Sequence, residues 1–137
     1  LAGFGGDLLI TANEDELAAL TERPIDAEPE QAVSEVAKRF DAIAMLKRSD
    51  TLIASPAGEV LRYPGGGVGL ATGGSGDVLA GILAALLARG QEPLAAAAWA
   101  VWLHGEAGRR LSEQLGPIGL LARELPALVP GLMRGAG

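Results

Sequence analysis

The sequence lacks cysteine and has few aromatic residues, and each absence narrows what the protein can be. Without cysteine there are no disulfides, no thiolate metal ligands and no cysteine nucleophile. The absence also favours a reducing compartment, so we expect a cytoplasmic protein. The single histidine, His104, cannot form a histidine-based metal site, and no protein metal site is predicted. Aromatic residues make up only 4% of the chain, so the core must be largely aliphatic.

Clustered positive charge and long apolar runs are also missing. The net charge is −6 and no cluster of Lys and Arg occurs, which argues against nucleic-acid binding. The longest apolar run, 94–103, is too short to cross a bilayer, so no membrane association is expected. With 137 residues, 49% of them hydrophobic, the chain can form one domain with a sizeable core. We therefore expect a single domain over 1–137, although its abrupt, glycine-rich opening suggests a fragment.

Hydrophobic periodicity predicts an α/β fold with the order β-α-α-β-β-β-α-α-α. The predicted strands are 7–11, 42–46, 51–54 and 59–62, the last two forming a hairpin. The predicted helices are 14–21 with Asn13 as its N-cap, 30–40, 75–89, 93–115 and 118–133. The helix 75–89 is apolar nearly all round and is expected to be buried. Trp99, Trp102 and Leu103 are expected to pack inward.

The most informative stretch is 70–81, in which glycines and hydroxyl residues precede Asp77 at the start of an apolar helix. The first N–H groups of a helix lack internal partners, and the helix dipole adds partial positive charge there. Gly73, Gly74 and Gly76 would let the backbone approach a phosphate closely. The pattern predicts an anion site, with ordinary helix capping as the alternative. It is neither a Walker A loop nor a dinucleotide fingerprint.

Four segments in register resemble one protein family. The run 71–81 is similar to the signature of the ribokinase-like superfamily, and more narrowly to that of the ADP-dependent NAD(P)H-hydrate dehydratases. The segment 46–53, Leu-Lys-Arg-Ser-Asp-Thr-Leu-Ile, resembles the family's Leu-Lys-Gly-x-x-Thr-x-Ile. Segments 101–108 and 119–125 resemble its Tyr-Leu-His-Gly-x-Ala-Gly and Gly-Leu-Leu-Ala-x-Asp-Leu. The resemblance implies the C-terminal, nucleotide-binding portion of a three-layer α/β/α domain with a mostly parallel sheet.

The resemblance implies an enzyme that repairs hydrated NADH or NADPH. ADP or ATP, with Mg²⁺, would phosphorylate the added hydroxyl, and loss of phosphate would restore the nicotinamide ring. Asp77 would be the catalytic residue, orienting that hydroxyl and accepting its proton. The nucleotide would contact Lys47, Arg48, Ser49, Asp50, Thr51, Gly73, Gly74, Ser75 and Gly76, and the substrate would contact Asn13 and Asp77. Helices so rich in Ala and Leu often pack against another chain, so a homo-oligomer is expected.

Departures from the family pattern keep other functions open. Arg48 stands where the family has glycine, Asn13 where it has a substrate-contacting histidine, and 63–69 where it has an asparagine-containing loop. One alternative is a small-molecule kinase of the same superfamily, acting on a hydroxymethylpyrimidine, a thiazole alcohol or a sugar. Another is a non-catalytic nucleotide-binding or oligomerising module. We interpret His104 as a hydrogen-bonded core histidine rather than a catalytic one.

Overall fold

Four strands and two helices occupy the first of two units into which the chain divides between Tyr63 and Pro64. The computed structural model describes residues 8–22, 24–25, 27–65 and 67–135. The first unit contains β1 (Leu9–Ala12), α1 (Glu14–Thr21), α2 (Pro29–Phe40), β2 (Ile43–Leu46), β3 (Thr51–Ala54) and β4 (Val60–Tyr63). These bounds confirm the predicted strands and helices to within a few residues. Asp7, the first residue of the first predicted strand, lies outside the described residues.

The sheet of the first unit is mixed, so the expectation of a mostly parallel sheet is wrong for the strands described. Its order is β1-β2-β3-β4. β1 and β2 are parallel, with Leu9 opposite Ile43, whereas β3 is antiparallel to both β2 and β4. Connection length explains the difference, because two helices carry the chain back between β1 and β2. Residues 47–50 and 55–59 are too few for a crossover and force antiparallel neighbours.

The core of the first unit lies between α2 and the sheet. α2 packs against β2 and β3, and α1 packs against α2. Val33 and Val36 share one face of α2 and are buried in the same cluster as Leu46 and Leu52. Full burial of each such aliphatic side chain is worth about 1.5–3 kcal/mol. This packing fixes the position of the residues that follow β1 and β2.

The second unit is helical, and its last segment differs from the prediction. It contains α3 (Ser75–Ala88), α4 (Pro93–Leu115) and α5 (Val129–Gly135), with 3₁₀ segments at Val68–Ala71 and Ala122–Leu128. α3 packs along α4, as expected for two consecutive apolar helices. The predicted final helix 118–133, with Pro126 and Pro130 breaking its regularity, is wrong in its start and winding, because Ala122–Leu128 is 3₁₀ before α5 begins. Pro126 inside this segment has no N–H for an α-helical hydrogen bond.

The expected burial of α3 and of Trp99 is corrected by the structure, whereas Leu103 is buried as predicted and Trp102 is half-buried. α3 buries Ser75, Leu79, Leu83 and Leu86, while Ala80, Ala84 and Ala88 are exposed. Its larger aliphatic side chains are buried or half-buried, and the exposed apolar positions are alanines, which present little surface. Trp99 is 40% exposed and packs edge-on against Trp102, with ring centroids 5.6 Å apart. Among the helices in the described ranges, none is both long and apolar enough to cross a membrane.

Candidate functional site

The start of α3 presents backbone donors that no side chain caps. Gly74 is the N-cap, with φ 85°, a left-handed conformation that an L side chain would strain. The Ser75 N–H donates to the Thr72 carbonyl and the Val78 N–H to the Gly74 carbonyl, each at 3.2 Å. Within the described part of the chain, the N–H groups of Gly76 and Asp77 have no acceptor. This turn therefore has the donors and the open backbone that an anion such as a phosphate would need.

Asp77 lies in the first turn of α3, beside those donors. Its side chain is exposed and, among the residues the structure describes, takes part in no ion pair or hydrogen bond. A cap usually accepts hydrogen bonds from the helix it starts, but here Gly74 occupies the cap position. The carboxylate is thus available to a ligand bound at the turn.

His104 connects α4 to the beginning of α3, a contact that the sequence did not predict. Its Nε2 lies 2.9 Å from Ser75 Oγ and 3.0 Å from the Ser75 carbonyl oxygen. Since a carbonyl only accepts, the proton lies on Nε2, and His104 donates to Ser75. Burial lowers the pKa of His104, and its hydrogen bond to the Ser75 carbonyl partly opposes that effect. The interpretation as a hydrogen-bonded core histidine is confirmed, and its partner is a predicted site residue.

A second group of predicted residues meets in the first unit, after the carboxyl ends of β1 and β2. Asn13, Lys47, Arg48 and Ser49 line a cavity of about 440 Å³, together with Glu14 and Asp15. The parallel pairing of β1 and β2 brings these segments to the same edge. The Lys47 N–H donates to the Ala12 carbonyl at 2.7 Å and extends that pairing by one residue.

The two basic residues that line this cavity already lie next to carboxylates. Asn13 caps α1 through a reciprocal box, in which its Oδ1 accepts from the Glu16 N–H and Glu16 Oε2 accepts from the Asn13 N–H, both at 2.8 Å. The same Glu16 oxygen lies 4.0 Å from Lys47 Nζ. Arg48 Nε lies 2.9 Å from Glu14 Oε1. A phosphate that entered the cavity would share or displace these carboxylates.

Asp50 and Thr51, also predicted to contact the nucleotide, are not among the described residues that line this cavity. Asp50 pairs with Arg62 at 2.9 Å, and Arg62 also pairs with Glu30 at 2.7 Å. Thr51 is buried at the start of β3, opposite Tyr63. The structure therefore brings together the first three residues of 47–51 and directs the last two elsewhere.

No group of three or more His, Cys, Asp or Glu side chains among the described residues is arranged to hold a metal ion. The described residues could therefore hold a magnesium ion only together with a nucleotide, whose phosphate oxygens, with water, would supply most of its ligands. That is the usual arrangement for Mg²⁺ at nucleotide sites.

Solved structures of similar fold define the class of protein. The ADP/ATP-dependent NAD(P)H-hydrate dehydratase from Bacillus subtilis, co-crystallised with ATP and Mg²⁺, matches with a TM-score of 0.91 and 28% identity, over 96% of this chain and 49% of that one. A ribokinase-like superfamily protein from Enterococcus faecalis matches with a TM-score of 0.82 and 30% identity, over 93% of this chain and 44% of that one. The fold is thus of the ribokinase-like class.

Sequence comparison defines the family within that class. The model of the NAD(P)H-hydrate dehydratase family matches residues 2–130, and the chain belongs to this family. The ADP-dependent (S)-NAD(P)H-hydrate dehydratase of Xanthomonas campestris is 38% identical over 135 residues, which are 96% of this chain and 47% of that protein. The chain spans about half the length of the relatives described here. The family membership predicted from the four sequence segments is confirmed.

Proposed function

We propose that the complete protein restores NADH and NADPH from their hydrated forms in a reaction that consumes ADP or ATP. The observation that carries this proposal is the start of α3, where the free N–H groups of Gly76 and Asp77 lie beside the unpaired Asp77 carboxylate. Family membership supports it, since the Xanthomonas relative is named as an ADP-dependent dehydratase. The relative co-crystallised with ATP and Mg²⁺ supports the choice of nucleotide and ion.

In the proposed reaction the turn before α3 holds the transferred phosphoryl group. The N–H groups of Gly76 and Asp77 donate to its oxygens and stabilise the charge that develops there. The Asp77 carboxylate orients the added hydroxyl and accepts its proton as the new oxygen–phosphorus bond forms and the bond to the departing nucleotide breaks. Phosphate then leaves with the electrons of the carbon–oxygen bond, and loss of a proton from the neighbouring ring carbon restores the double bond. Bound Mg²⁺ would neutralise phosphate charge.

The cavity of the first unit supplies the remaining assigned contacts. Lys47, Arg48 and Ser49 would bind the nucleotide, and Asn13 would hydrogen-bond the substrate. Glu16 supports both functions, because its carboxylate contacts the Asn13 N–H and lies 4.0 Å from Lys47 Nζ. The assignment of Asp50 and Thr51 to the nucleotide rests on the family resemblance.

A direct assay separates this function from its alternatives. The complete protein is mixed with hydrated NADH, ADP or ATP, and Mg²⁺, and the absorbance of reduced nicotinamide is followed. We expect the absorbance to recover only when nucleotide is present. A stable phosphorylated product without recovery would indicate a kinase, and nucleotide binding without turnover would indicate a non-catalytic module.

We also propose that 1–137 is the C-terminal portion of a single three-layer α/β/α domain whose complete sheet is mostly parallel. We further propose that the protein is cytoplasmic, in keeping with the absence of cysteine from the sequence. We also propose that it forms a homo-oligomer, because α3 exposes Ala80, Ala84 and Ala88 on an apolar helix. Sedimentation velocity on the complete protein tests the assembly. A monomer at every concentration would contradict it.

A further inference from the structure

One face of α4 contacts the segment that leads into α3 along three successive helical turns. His104, Gly108 and Ser112 are four residues apart and therefore share that face. His104 donates to Ser75. A Cβ on Gly108 would lie 2.6 Å from Leu70 Cδ2, and a Cβ on Gly69 would lie 3.2 Å from Ser112 Oγ. α4 thus lies directly against both the 3₁₀ segment and the first residue of α3.

The two glycines of the turn between these contacts are restrained by backbone hydrogen bonds but have few close neighbours. A Cβ on Gly73 would meet no atom within 4 Å, and one on Gly74 would meet only Ala122 Cβ, at 3.5 Å. Glycine loses more conformational freedom on folding than any other residue, so such a turn must be held from outside. The orientation of the Gly76 and Asp77 N–H groups accordingly depends on how Ser75, which immediately precedes them, is fixed.

His104 is the side chain that makes polar contacts with Ser75, whose own N–H donates to the Thr72 carbonyl. Ser75 and His104 are 5% and 8% exposed, so water competes little for their hydrogen bond. Nε2 contacts both the hydroxyl and the backbone carbonyl of Ser75, which constrains the peptide unit that continues to Gly76. A hydrophobic residue of similar size would fill the same space without holding that peptide unit.

We propose that His104 is a positioning residue for phosphoryl binding, acting through its Nε2–H bond to Ser75 to aim the Gly76 and Asp77 N–H groups at the nucleotide. The inference rests on the proposed function, since it assumes that a phosphoryl group of ADP or ATP binds at this turn. It gives a role in the reaction to a residue that lies on α4, outside the glycine-rich segment. The effect of the hydrogen bond can be separated from that of side-chain packing at position 104, because a substitution can remove one and keep the other.

Two substitutions make that separation. His104→Gln keeps an N–H donor on a side chain of similar reach, whereas His104→Leu fills the space without a donor. Leu103→Met, at a buried neighbour on α4, is the matched control. With hydrated NADH, ADP and Mg²⁺, we expect His104→Leu to raise the KM for ADP about tenfold and to lower kcat. We expect His104→Gln to stay within about threefold of the wild type and Leu103→Met to match it.

A second measurement keeps the test independent of stability. Thermal unfolding identifies a variant that fails to fold, and if His104→Leu does so, His104→Asn replaces it, since its shorter amide cannot span the distance to Ser75. On ADP addition, the amide NMR shifts of Gly76 and Asp77 should differ from those of the wild type in His104→Leu, or in His104→Asn where it is used, and not in His104→Gln.

The inference is overturned if the variant that lacks the hydrogen bond to Ser75, His104→Leu or His104→Asn, binds ADP normally, or if His104→Gln is equally impaired. Wild-type protein that neither binds ADP nor restores NADH overturns the proposed function, and this inference with it.

Discussion

Asp77 combines exposure with the absence of partners, so its carboxylate can be removed without removing a structural contact within the described residues. Asp77→Asn should lower kcat by about 10²-fold or more, because the hydroxyl loses its proton acceptor. Nucleotide binding should persist or tighten, since a negative charge beside the phosphates is removed. Steady-state kinetics and calorimetric titration with ADP measure the two effects.

The matched control for this change is Asp41→Asn. Asp41 is an exposed aspartate at the end of α2, with φ 48°, a conformation that Asn also tolerates. It should leave kcat and ADP affinity unchanged. Equal kcat in Asp77→Asn and the wild type would exclude Asp77 as the proton acceptor.

His104 makes stability depend on pH in a direction that follows from its burial. Burial lowers the folded-state pKa of His104 below its ordinary value of 6.5. Between the folded-state pKa and pH 6.5, the unfolded chain binds a proton at His104 that the folded chain does not. The free energy of unfolding is therefore highest above pH 6.5 and decreases as the pH falls toward the folded-state pKa. Urea unfolding at about pH 7.5 and about pH 5.5 should show a larger loss for the wild type than for His104→Gln. An identical loss in both proteins would contradict the prediction.

At the scale of whole elements, two helical glycines should respond oppositely to the same change. Gly81 lies on α3, where a Cβ would meet no atom within 4 Å, so Gly81→Ala should stabilise the helix by up to about 1 kcal/mol. On α4, a Cβ at Gly108 would lie 2.6 Å from Leu70 Cδ2, so Gly108→Ala should destabilise by about 1–3 kcal/mol. Chemical unfolding of both variants measures the difference. Equal effects would show that the contact of α4 with Leu70 is not tight.

Elements whose ends are set by local chemistry could be predicted from the sequence. Asn13 and Glu16 mark the start of α1, and the structure shows the reciprocal cap that this spacing allows. The 51–54 and 59–62 hairpin was also predictable, because its turn signal lies within a few residues. The mostly parallel sheet came instead from the family resemblance, which describes a domain about twice as long. The 3₁₀ winding of Ala122–Leu128 was missed, because hydrophobic periodicity does not take account of the N–H that Pro126 lacks.

In the candidate site, too, the features set by local sequence were predictable and the contacts between distant segments were not. The turn at Gly73–Gly76 is a local pattern, and its position at the start of α3 is as predicted. The Ser75–His104 bond joins residues 29 apart, and neither residue type alone indicates the other. The pairing of Arg48 with Glu14 likewise depends on the adjacency of β1 and β2. Contacts between distant segments were therefore the part that sequence reasoning could not supply.

At the scale of the whole chain, residues 1–137 carry a net charge of −6, which repels an anionic nucleotide, so binding to this part depends on local donors. A ligand that binds only the folded state at about a hundredfold its Kd stabilises a protein by about 2.7 kcal/mol. ADP with Mg²⁺, added at about a hundredfold its Kd, should therefore raise the free energy of unfolding of the complete protein by this amount. Hydrated NADH without nucleotide should give a smaller shift at the same concentration.

The chain has two lysines, and comparing them isolates the contribution of Lys47 to ADP binding from the effect of net charge. Lys47 lines the cavity beyond β2, whereas Lys38 is exposed on α2 and is not among its described lining residues. Lys47→Met and Lys38→Met change the net charge by the same single unit, so any difference between them arises from position. Lys47→Met should lose most of the ADP-dependent shift in chemical unfolding, and Lys38→Met should keep it. Equal shifts in the two variants would place the nucleotide phosphates away from Lys47 and would leave the start of α3 as their remaining candidate site.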